Sequence, residues 1–381
     1  MSSRLPRLRS LVTAALVVTV PAALAVAIAA PAASAGTGGP RNQFSQTNLI
    51  SNLKTVGAQV VDPNLKNPWG LAMSPTSPLW VANNATGTAT VYRINVGGTT
   101  VTKVPVTVTL PGGRASTGDG PSPTGQVFNP TNGFVVTSPA GSGPAMFIFS
   151  AEAGQISAWS PVADPITAGA STAQVEFSSP TAVYKGLTIA STDDGTFLYA
   201  SNFHDGTVDV FNSNFQLVHL PGDFQDPALP AGYAPFGIQA IRNFIYVTYA
   251  LQNADKHDDV SGAGHGFIDI YTKEGFLVKR LVSGGDLNSP WGLTLAPGAF
   301  GRFSAKLLVG NFGDGLIHGY TRFSGQPKGA LLDEHGQPIQ IDDLWALRFG
   351  TDTTGGERTL LFSAGINDEM DGLVGSINRV R

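Results

Sequence analysis

No cysteine occurs anywhere in this chain of 381 residues. Disulfide bonds and cysteine-based zinc sites are therefore excluded, and a folded domain must be held together by its apolar core. A single domain of about 300 residues buries ~75% of its chain surface, which is sufficient for that purpose. Because 42% of the residues are hydrophobic, the 46 glycines and 26 prolines favour turn-rich β structure over disorder.

Charge is also scarce, and it includes no surplus of basic residues. Only 13% of the residues are charged, and 23 Lys and Arg stand against 27 Asp and Glu, giving a net charge of −4. Nucleic acid and anionic membrane surfaces are therefore not expected as partners.

Several motifs that would indicate an activity are missing. The chain has no His-Glu-x-x-His motif, no EF-hand ligand order, no phosphate-binding glycine loop followed by Lys-Ser/Thr, and no complete Gly-x-Ser-x-Gly elbow. Beyond the first thirty or so residues, no window shows a long helical stripe or an apolar run able to span a bilayer. The remaining chain is expected to form β structure.

The first 35 residues have the pattern of a secretory signal peptide. Arg4, Arg7 and Arg9 precede the apolar run 11–30, and the small residues at 33–35 fit a cleavage site. The arginines are never adjacent, which favours general export over the twin-arginine route. An uncleaved anchor is the alternative, since about 20 apolar residues span a bilayer. Cleavage would leave a secreted, extracellular protein with a flexible start at 36–45 and 20 basic against 27 acidic residues.

The most informative feature of the sequence is a repeat. The tripeptide Trp-Gly-Leu begins at Trp69 and again at Trp291, each time after a proline. Each copy is followed by an apolar run that ends in asparagine, at Asn83 and Asn311 respectively. A unit that recurs at long spacing is the signature of a repeat architecture.

Weaker copies divide the chain into six units. The large apolar residues that mark them are Leu71, Phe134, Leu187, Ile238, Leu293 and Leu347. Within a unit, short alternating runs flank turns such as that at His204-Asp205-Gly206, which is a β-hairpin pattern. Four short strands in about fifty residues are typical of a propeller blade. The predicted fold class is therefore all-β, a six-bladed β-propeller.

The ring is predicted to close through its chain ends. The last unit ends at residues 374–380 with only its third strand, so the fourth is expected from residues 46–56. An N-terminal strand that completes the last blade removes two exposed sheet edges. A single domain at 46–381 results. A two-sheet sandwich is the alternative, but it would leave the repeat unexplained.

The predicted ligand site lies at one end of the central channel. In a propeller, the loops into the innermost strands and the loops between second and third strands open on the same face, where a concave ligand site is expected. Residues that break the repeat are better functional candidates than recurring turn asparagines. The candidates for catalysis are His204, His257, Asp314 and Lys185. The candidates for ligand contact are Trp69, Trp291, Trp345, Asp258, Asp259 and His265.

Two of these groups have a second interpretation. The three tryptophans begin inner strands, where they either stack on a sugar ring or wedge between blades. Residues 253–266 form an insertion where the fourth unit should have a tight turn, and they bring Asp and His side chains to the predicted ligand face. Such a loop either binds a divalent cation, supplies an acid–base pair, or is simply solvated.

Several specific motifs are distributed between about Asn48 and Arg381. They are Asn-Pro-Trp-Gly-Leu at 67–71, Pro-Thr-Gly-Gln-Val-Phe-Asn at 123–129, Phe-Ile-Phe at 147–149, Tyr-Lys-Gly-Leu at 184–187, Pro-Ala-Gly-Tyr-Ala-Pro-Phe at 230–236, Lys-His-Asp-Asp-Val at 256–260, Leu-Val-Gly-Asn-Phe-Gly-Asp-Gly at 308–315 and Ala-Gly-Ile-Asn-Asp-Glu at 364–369. In these motifs the chain resembles an uncharacterised family of exported six-bladed β-propeller proteins, some with a bacterial C-terminal sorting tail. The resemblance implies the fold but no reaction. The chain departs from it by lacking the tail, which implies free secretion, and by carrying Asp371 and His265 where many relatives have His and Asn.

A looser similarity connects the chain with six-bladed lactonases and gluconolactonase-like hydrolases, which hold a central Ca²⁺ with Asn, Asp and Glu side chains. By analogy of architecture, it implies that a divalent cation such as Ca²⁺ would be held by a comparable set of side chains. That set is Asn83, Asn202, Asn311 and Glu369.

Two functions remain open at this point. The first is metal-assisted hydrolase or lyase chemistry on an extracellular sugar or lactone, in which a bound cation polarises a carbonyl or activates water. The second is a non-catalytic binding module for a polysaccharide, a peptide or a wall component. In either case we expect a small-molecule or carbohydrate ligand, a monomer, and no stable membrane anchor after cleavage.

Overall fold

The computed structural model describes residues 43–114 and 120–380. The predicted signal peptide, residues 1–35, lies outside the described residues, as does most of the predicted flexible start. Six antiparallel sheets form the blades of a propeller, which confirms the predicted fold class. Within the described residues, no helix has the length and apolar character needed to cross a membrane.

Each blade contains four antiparallel strands in sequence order from the channel outwards, apart from the outer strand of the last blade. The innermost strands are Pro68–Ala72, Pro123–Phe128, Tyr184–Thr192, Tyr233–Ile241, Pro290–Leu295 and Leu344–Phe349. The second strands are Leu79–Asn83, Phe147–Ala151, Gly195–Asn202, Phe244–Leu251, Lys306–Asn311 and Leu360–Ala364. The third strands are Thr88–Ile94, Gln155–Trp159, Thr207–Phe211, Phe267–Thr272, Ile317–Thr321 and Leu373–Arg379. The outer strands are Val101–Thr109, Gln174–Ser178, Leu217–Val218, Leu277–Ser283, Pro327–Ala330 and Phe44–Ser51.

A few short elements complete the described structure. Val60–Val61 and Ala170–Thr172 add parallel edge strands to the sixth and first blades, and Val135–Ser138 pairs with Gly141–Pro144 in a separate hairpin. The 3-10 turns are Asn84–Thr86 and Gly301–Phe303.

The ring closes through the two ends of the domain, as predicted. Phe44–Ser51 pairs antiparallel with Leu373–Arg379, from Phe44 opposite Arg379 to Ser51 opposite Leu373. The closing strand also buries Phe44 completely, and its ring lies 4.8 Å from that of Phe300 in the fifth blade. Closure therefore satisfies a sheet edge and adds aromatic packing between neighbouring blades.

Glycines in the inner strands let adjacent blades approach closely around the channel. A Cβ on Gly125 would lie 2.3 Å from the backbone nitrogen of Leu187, and one on Gly237 would lie 2.1 Å from the carbonyl oxygen of Trp291. Both distances are below any van der Waals contact, so the backbone of the next blade occupies the space of a side chain. The glycine of the Trp-Gly-Leu repeat is thus a requirement of blade packing.

We therefore expect Gly237→Ala to destabilise the domain by about 1–3 kcal/mol, since an overpacked position forces the backbone to shift. Gly298→Ala is the matched control, because a Cβ there has open space within 4 Å and the residue lacks a left-handed φ. Urea unfolding of both variants checks the expectation. Equal stabilities of the two variants would contradict this explanation of the repeat.

The second blade corrects the repeat alignment. Its inner strand is Pro123–Phe128, so Gln126 follows the blade-packing glycine where Leu71 follows Gly70 in the first blade. The alignment on Phe134 was wrong because it required a large apolar residue, whereas this blade has a polar one. Phe134 is buried outside the inner strand, with its ring 5.3 Å from that of Phe215 in the next blade.

Candidate functional site

Two positions that recur from blade to blade build the mouth of the channel. One position lies in the inner strand, directly before the glycine that packs against the next blade or its equivalent. Its occupants are Trp69, Thr124, Lys185, Phe236, Trp291 and Trp345. The second is the residue just after the second strand, and its occupants in five blades are Asn84, Glu152, Phe203, Phe312 and Gly365. Most of these residues are apolar, and the polar exceptions belong to the first three blades.

The apolar members pack into a group that we call the aromatic plug. Its members are Trp69, Phe203, Phe236, Trp291, Phe312 and Trp345. The rings of Trp69 and Trp345 stack with centroids 3.4 Å apart, and Phe312 stacks on the other side of Trp345 at 4.2 Å. Trp69 and Trp345 are each only 1% exposed, so their faces are occupied by other rings, and Trp291 is partly exposed.

Lys185 lies against this plug with its ammonium group buried. The side chain is 2% exposed, and Nζ lies 2.5 Å from Glu152 and 3.4 Å from Asp258. It also lies 5.3 Å from the ring centre of Trp69, a cation–π distance. Burial opposes the positive charge, but Glu152 and then Asp258 outweigh it and hold the pKa of Lys185 above its usual value. Lys185 is therefore a fixed cation that joins two blades and the insertion.

A chain of polar contacts extends from Lys185 around the mouth. On one side, Glu152 accepts a hydrogen bond from Asn84 at 2.9 Å, and Asn84 accepts one from Asn67 at 3.4 Å. The Asn67 amide also donates to Glu369 at 3.3 Å. On the other side, Asp258 contacts Nδ1 of His257 at 2.9 Å. We call this group the polar arc: Glu369, Asn67, Asn84, Glu152, Lys185, Asp258 and His257.

Three consecutive left-handed residues carry Glu369 to the mouth. Asn367, Asp368 and Glu369 have φ values of 62°, 54° and 63°. A left-handed conformation costs roughly 1–2 kcal/mol for a residue with a side chain, and such strain is concentrated at functional sites. The turn is held by a hydrogen bond of 2.7 Å from the Glu369 nitrogen to the Gly365 carbonyl oxygen. The sixth blade thus holds this carboxyl group in place at the expense of local strain.

The Glu369 carboxyl group holds its proton more tightly than an ordinary glutamate does. Burial is the largest cause, and repulsion by Glu152 adds to it, so that the pKa of Glu369 is raised to about 8. Lys185 acts in the opposite direction without overcoming them. The mouth therefore combines a neutral carboxylic acid with carboxylates that form ion pairs, a combination suited to acid–base chemistry.

The polar arc also contains the one group of potential metal ligands found among the described residues. Glu152, His257 and Asp258 each offer a ligand atom, and these atoms lie within 4.8 Å of one another. However, the Lys185 ammonium already contacts both carboxylates. A divalent cation held by the same oxygens would lie against that positive charge, so the donor set does not fit a metal while Lys185 is in place.

The asparagines predicted to hold Ca²⁺ use their amide nitrogens within their own blades. Asn83 donates to Thr90 at 3.0 Å, Asn202 donates to Asp209 at 3.1 Å, and Asn311 donates to the Asp286 carbonyl oxygen at 2.8 Å. A Ca²⁺ ion would bind the amide oxygens instead, and those of Asn83 and Asn311 are buried without a hydrogen-bond partner among the described residues. Of the four predicted ligands, only Glu369 is in the polar arc, and the role of Ca²⁺ stays a prediction.

The other predicted site residues are distributed among separate loops. His204 contacts Asp205 at 2.9 Å, and Nδ1 of His265 contacts the carbonyl oxygen of Val260 at 2.8 Å. Asp314 accepts a hydrogen bond from the Leu316 nitrogen at 3.0 Å, and Asp259 accepts one from Ser261 at 2.9 Å. The predicted residues that the structure brings together are Lys185, His257, Asp258 and Glu369 in the polar arc, and Trp69, Trp291 and Trp345 in the aromatic plug.

Sequence reasoning missed three members of the polar arc, Glu152, Asn67 and Asn84. Glu152 follows the second strand of its blade, where other blades have Asn84 or a phenylalanine. The argument from broken repeats that selected Lys185 would have found Glu152 as well. Asn67 had no such signal, because its importance comes from contacts with Trp345, Asn84 and Glu369, which are distant in sequence.

The six blades place the chain in the class of β-propeller proteins, and two solved structures share its fold over most of its length. A mutant of the alpha-L-arabinofuranosidase Arb93a from Fusarium graminearum has a TM-score of 0.51 with 11% identity, over 89% of this chain and 98% of that one. The Penicillium chrysogenum alpha-L-arabinanase has a TM-score of 0.51 with 12% identity, over 88% and 97%. Streptogramin B lyase has a TM-score of 0.45 with 12% identity, over 88% and 97%. At these identities the likeness shows the fold alone.

Sequence relatives define the family within that class. The chain is 32% identical to uncharacterized protein R648 of Acanthamoeba polyphaga mimivirus, over 89% of this chain and 82% of the relative. It is 31% identical to uncharacterized protein L690 of the same virus, over 89% and 87%. The chain belongs to the family of these proteins. No family model matches it.

Proposed function

We propose that the channel mouth is the active site of a secreted hydrolase that acts on a neutral carbohydrate or lactone. The polar arc is the observation that carries the proposal. It contains both Glu369, whose pKa is about 8, and Asp258, which is paired with Lys185 and His257. An acid and a base with different environments at one concave mouth are the requirement for acid–base hydrolysis. We include secretion in the proposal because the first 35 residues have the pattern of a signal peptide.

Each member of the polar arc has a defined role in this proposal. Glu369 donates its proton to the leaving oxygen as the bond to that oxygen breaks. Asp258 takes a proton from the attacking water, whose oxygen forms the new bond to carbon, and the adjacent His257 orients Asp258. Asn67 and Asn84 hold Glu369 and Glu152 in position. No step requires a divalent cation, because Lys185 supplies the positive charge that fixes the two carboxylates.

The charge of the mouth supports a neutral substrate. Glu152 and Asp258 face a single buried cation, and Asp343 adds a further negative charge near Glu369. A uronate or another anionic sugar would be repelled, which disfavours elimination chemistry on uronates. A neutral sugar or lactone enters without that penalty. Hydrolysis is therefore favoured over lyase activity.

A non-catalytic binding module for a polysaccharide is the second candidate. It is favoured by Met370, whose 72% exposed side chain follows Glu369 and offers apolar contact area to a bound chain. Under this alternative, the polar arc would hold the loops in place, and binding would survive the loss of the Glu369 proton. The two candidates therefore differ in their response to Glu369→Gln.

A paired screen tests the proposal. Purified protein is assayed for release of reducing ends from neutral polysaccharides and for proton release from lactones in a pH-stat. Every substrate is run in parallel with Glu369→Gln and with Glu334→Gln, which removes an exposed carboxylate outside the polar arc. The proposal expects an activity that Glu334→Gln retains and Glu369→Gln lacks. Binding of a polysaccharide without turnover, unchanged in Glu369→Gln, would support the binding module instead.

A further inference from the structure

A cavity of about 230 Å³ lies in the channel below the aromatic plug. Its walls come from the parts of the inner strands that follow the blade-packing glycines, whereas the polar arc surrounds the starts of those strands. The cavity is therefore separate from the candidate active site. Five of the residues that directly follow the glycine position are apolar, namely Leu71, Leu187, Ile238, Leu293 and Leu347, and all five line the cavity.

Gln126 is the exception at this position. It stands where the other five blades have leucine or isoleucine, it lines the cavity, and it is only 5% exposed. Within residues 43–114 and 120–380, neither its amide oxygen nor its amide nitrogen has a hydrogen-bond partner. A buried amide without partners costs about 1–3 kcal/mol, so an unpaired glutamine in this ring of leucines points to a ligand that pairs with it.

Arg348 lines the same cavity, one residue beyond Leu347. In the part of the chain that the structure describes, its guanidinium has neither an ion pair nor a side-chain hydrogen bond. Burial alone lowers its pKa, with no contribution from a nearby carboxylate. Arg348 is half-buried, and its guanidinium faces the cavity, where an anion could pair with it. The cavity thus contains an unpaired positive charge and an unpaired amide.

We propose that this lower channel cavity binds a small organic carboxylate. The guanidinium of Arg348 pairs with the carboxylate, because its planar fork matches two carboxylate oxygens. The Gln126 amide nitrogen donates to one of those oxygens, and the aliphatic part of the ligand contacts the surrounding leucines. A single cation fits a monoanion better than it fits inorganic phosphate, and the leucine and isoleucine side chains that line the cavity can contact a short apolar tail. The volume equals that of roughly seven water molecules, which limits the ligand to a short-chain acid.

The test uses sodium butyrate as the probe and thermal melting as the measurement, at constant ionic strength maintained with sodium chloride. A ligand that binds only the native state stabilises it by RT ln(1 + [L]/Kd), so the melting temperature rises with ligand concentration and its dependence on concentration yields Kd. We expect such a rise with butyrate and none with butyramide, which has a similar shape without the charge. Sodium phosphate is the inorganic comparison.

Three variants complete the test. Arg348→Met is expected to fold, since it removes a half-buried charge that has no ion pair within the described residues, and to abolish the butyrate effect. Gln126→Leu restores the residue type of the other blades and is expected to raise Kd roughly 10-fold or more. Arg379→Met is the control, because it removes an exposed arginine outside the cavity and should leave Kd unchanged.

Several results would overturn the proposal. These are the absence of a concentration-dependent shift with butyrate in the unmodified protein, an equal shift in Arg348→Met, and an equal shift in Gln126→Leu. Phosphate or chloride acting as strongly as butyrate would overturn the assignment to a carboxylate. The candidate active site is not involved in any of these outcomes.

Discussion

Lys185→Met is expected to lower the free energy of unfolding by about 3–5 kcal/mol at pH 7, because it removes one partner of a buried ion-pair network. The methionine preserves much of the apolar stem that packs beside Trp69, so the main loss is the charge. Glu152 and Asp258 would then face each other without the cation that now lies 2.5 Å and 3.4 Å from them. Urea unfolding monitored by tryptophan fluorescence provides the measurement.

A second substitution identifies the cause of this loss. Glu152→Gln in the Lys185→Met background removes one of the uncompensated carboxylates, and it should restore part of the stability. The coupling between the two positions should lie at or above about 1 kcal/mol, as found for residues in one ionic network. Lowering the pH to 5 should also narrow the gap between Lys185→Met and the unmodified protein, since the uncompensated carboxylates take up protons more readily. A loss of less than 1 kcal/mol in Lys185→Met would contradict the role assigned to Lys185.

Glu369→Gln is expected to change activity and stability in opposite directions. Loss of the proton donor should lower kcat/KM on any substrate found in the screen by about 100- to 10,000-fold. Stability should instead rise at alkaline pH. The folded protein binds the Glu369 proton with a pKa of about 8, against 4.5 for an ordinary glutamate, so its stability falls as pH rises from 4.5 to 8. Glutamine does not titrate and avoids that loss.

The stability difference therefore has a defined pH profile. Near pH 4.5 the melting temperatures of Glu369→Gln and the unmodified protein should coincide. Above pH 8 the variant should melt higher by ~5 °C, and the difference should then stop growing. Scanning calorimetry from pH 4 to pH 9 measures both limits, with Glu334→Gln as the control that shows no such trend. A difference between the two melting temperatures that stays at zero or reverses as pH rises would show that Glu369 is ionised in the folded protein at neutral pH.

The fold was predictable because its requirements are local and repeated. Every blade needs a tight turn, an alternating strand and a small residue at the crowded inner strand, and Gly125 and Gly237 show how strict that last requirement is. The closing strand was predictable from a missing fourth strand in the last unit. Only the second blade misled the alignment, because Gln126 replaces the apolar residue that marks the others.

The candidate site was predictable only in part, because its members come from five blades. Lys185 and Glu369 stood out by breaking the repeat, and the insertion pointed to Asp258. Asn83 and Asn84 show where such reasoning ends. They are adjacent, yet the first donates to Thr90 within its blade while the second donates to Glu152 across the channel mouth. The direction of each side chain depends on the residue at which the strand ends. The pattern of residue types locates that end only to within one position.

The proposed acid–base chemistry depends on a Glu369 carboxyl group that is protonated at neutral pH, and carbon NMR measures its pKa. Protein labelled with ¹³C at the glutamate side-chain carboxyl carbons is titrated from pH 4 to pH 10, and the Glu369 signal is assigned by its absence in Glu369→Gln. We expect a titration midpoint near 8, well above the value of 4.5 for an ordinary glutamate. A midpoint at or below 4.5 would mean that Glu369 is a carboxylate at neutral pH, and it would contradict the acid–base site proposed for the channel mouth.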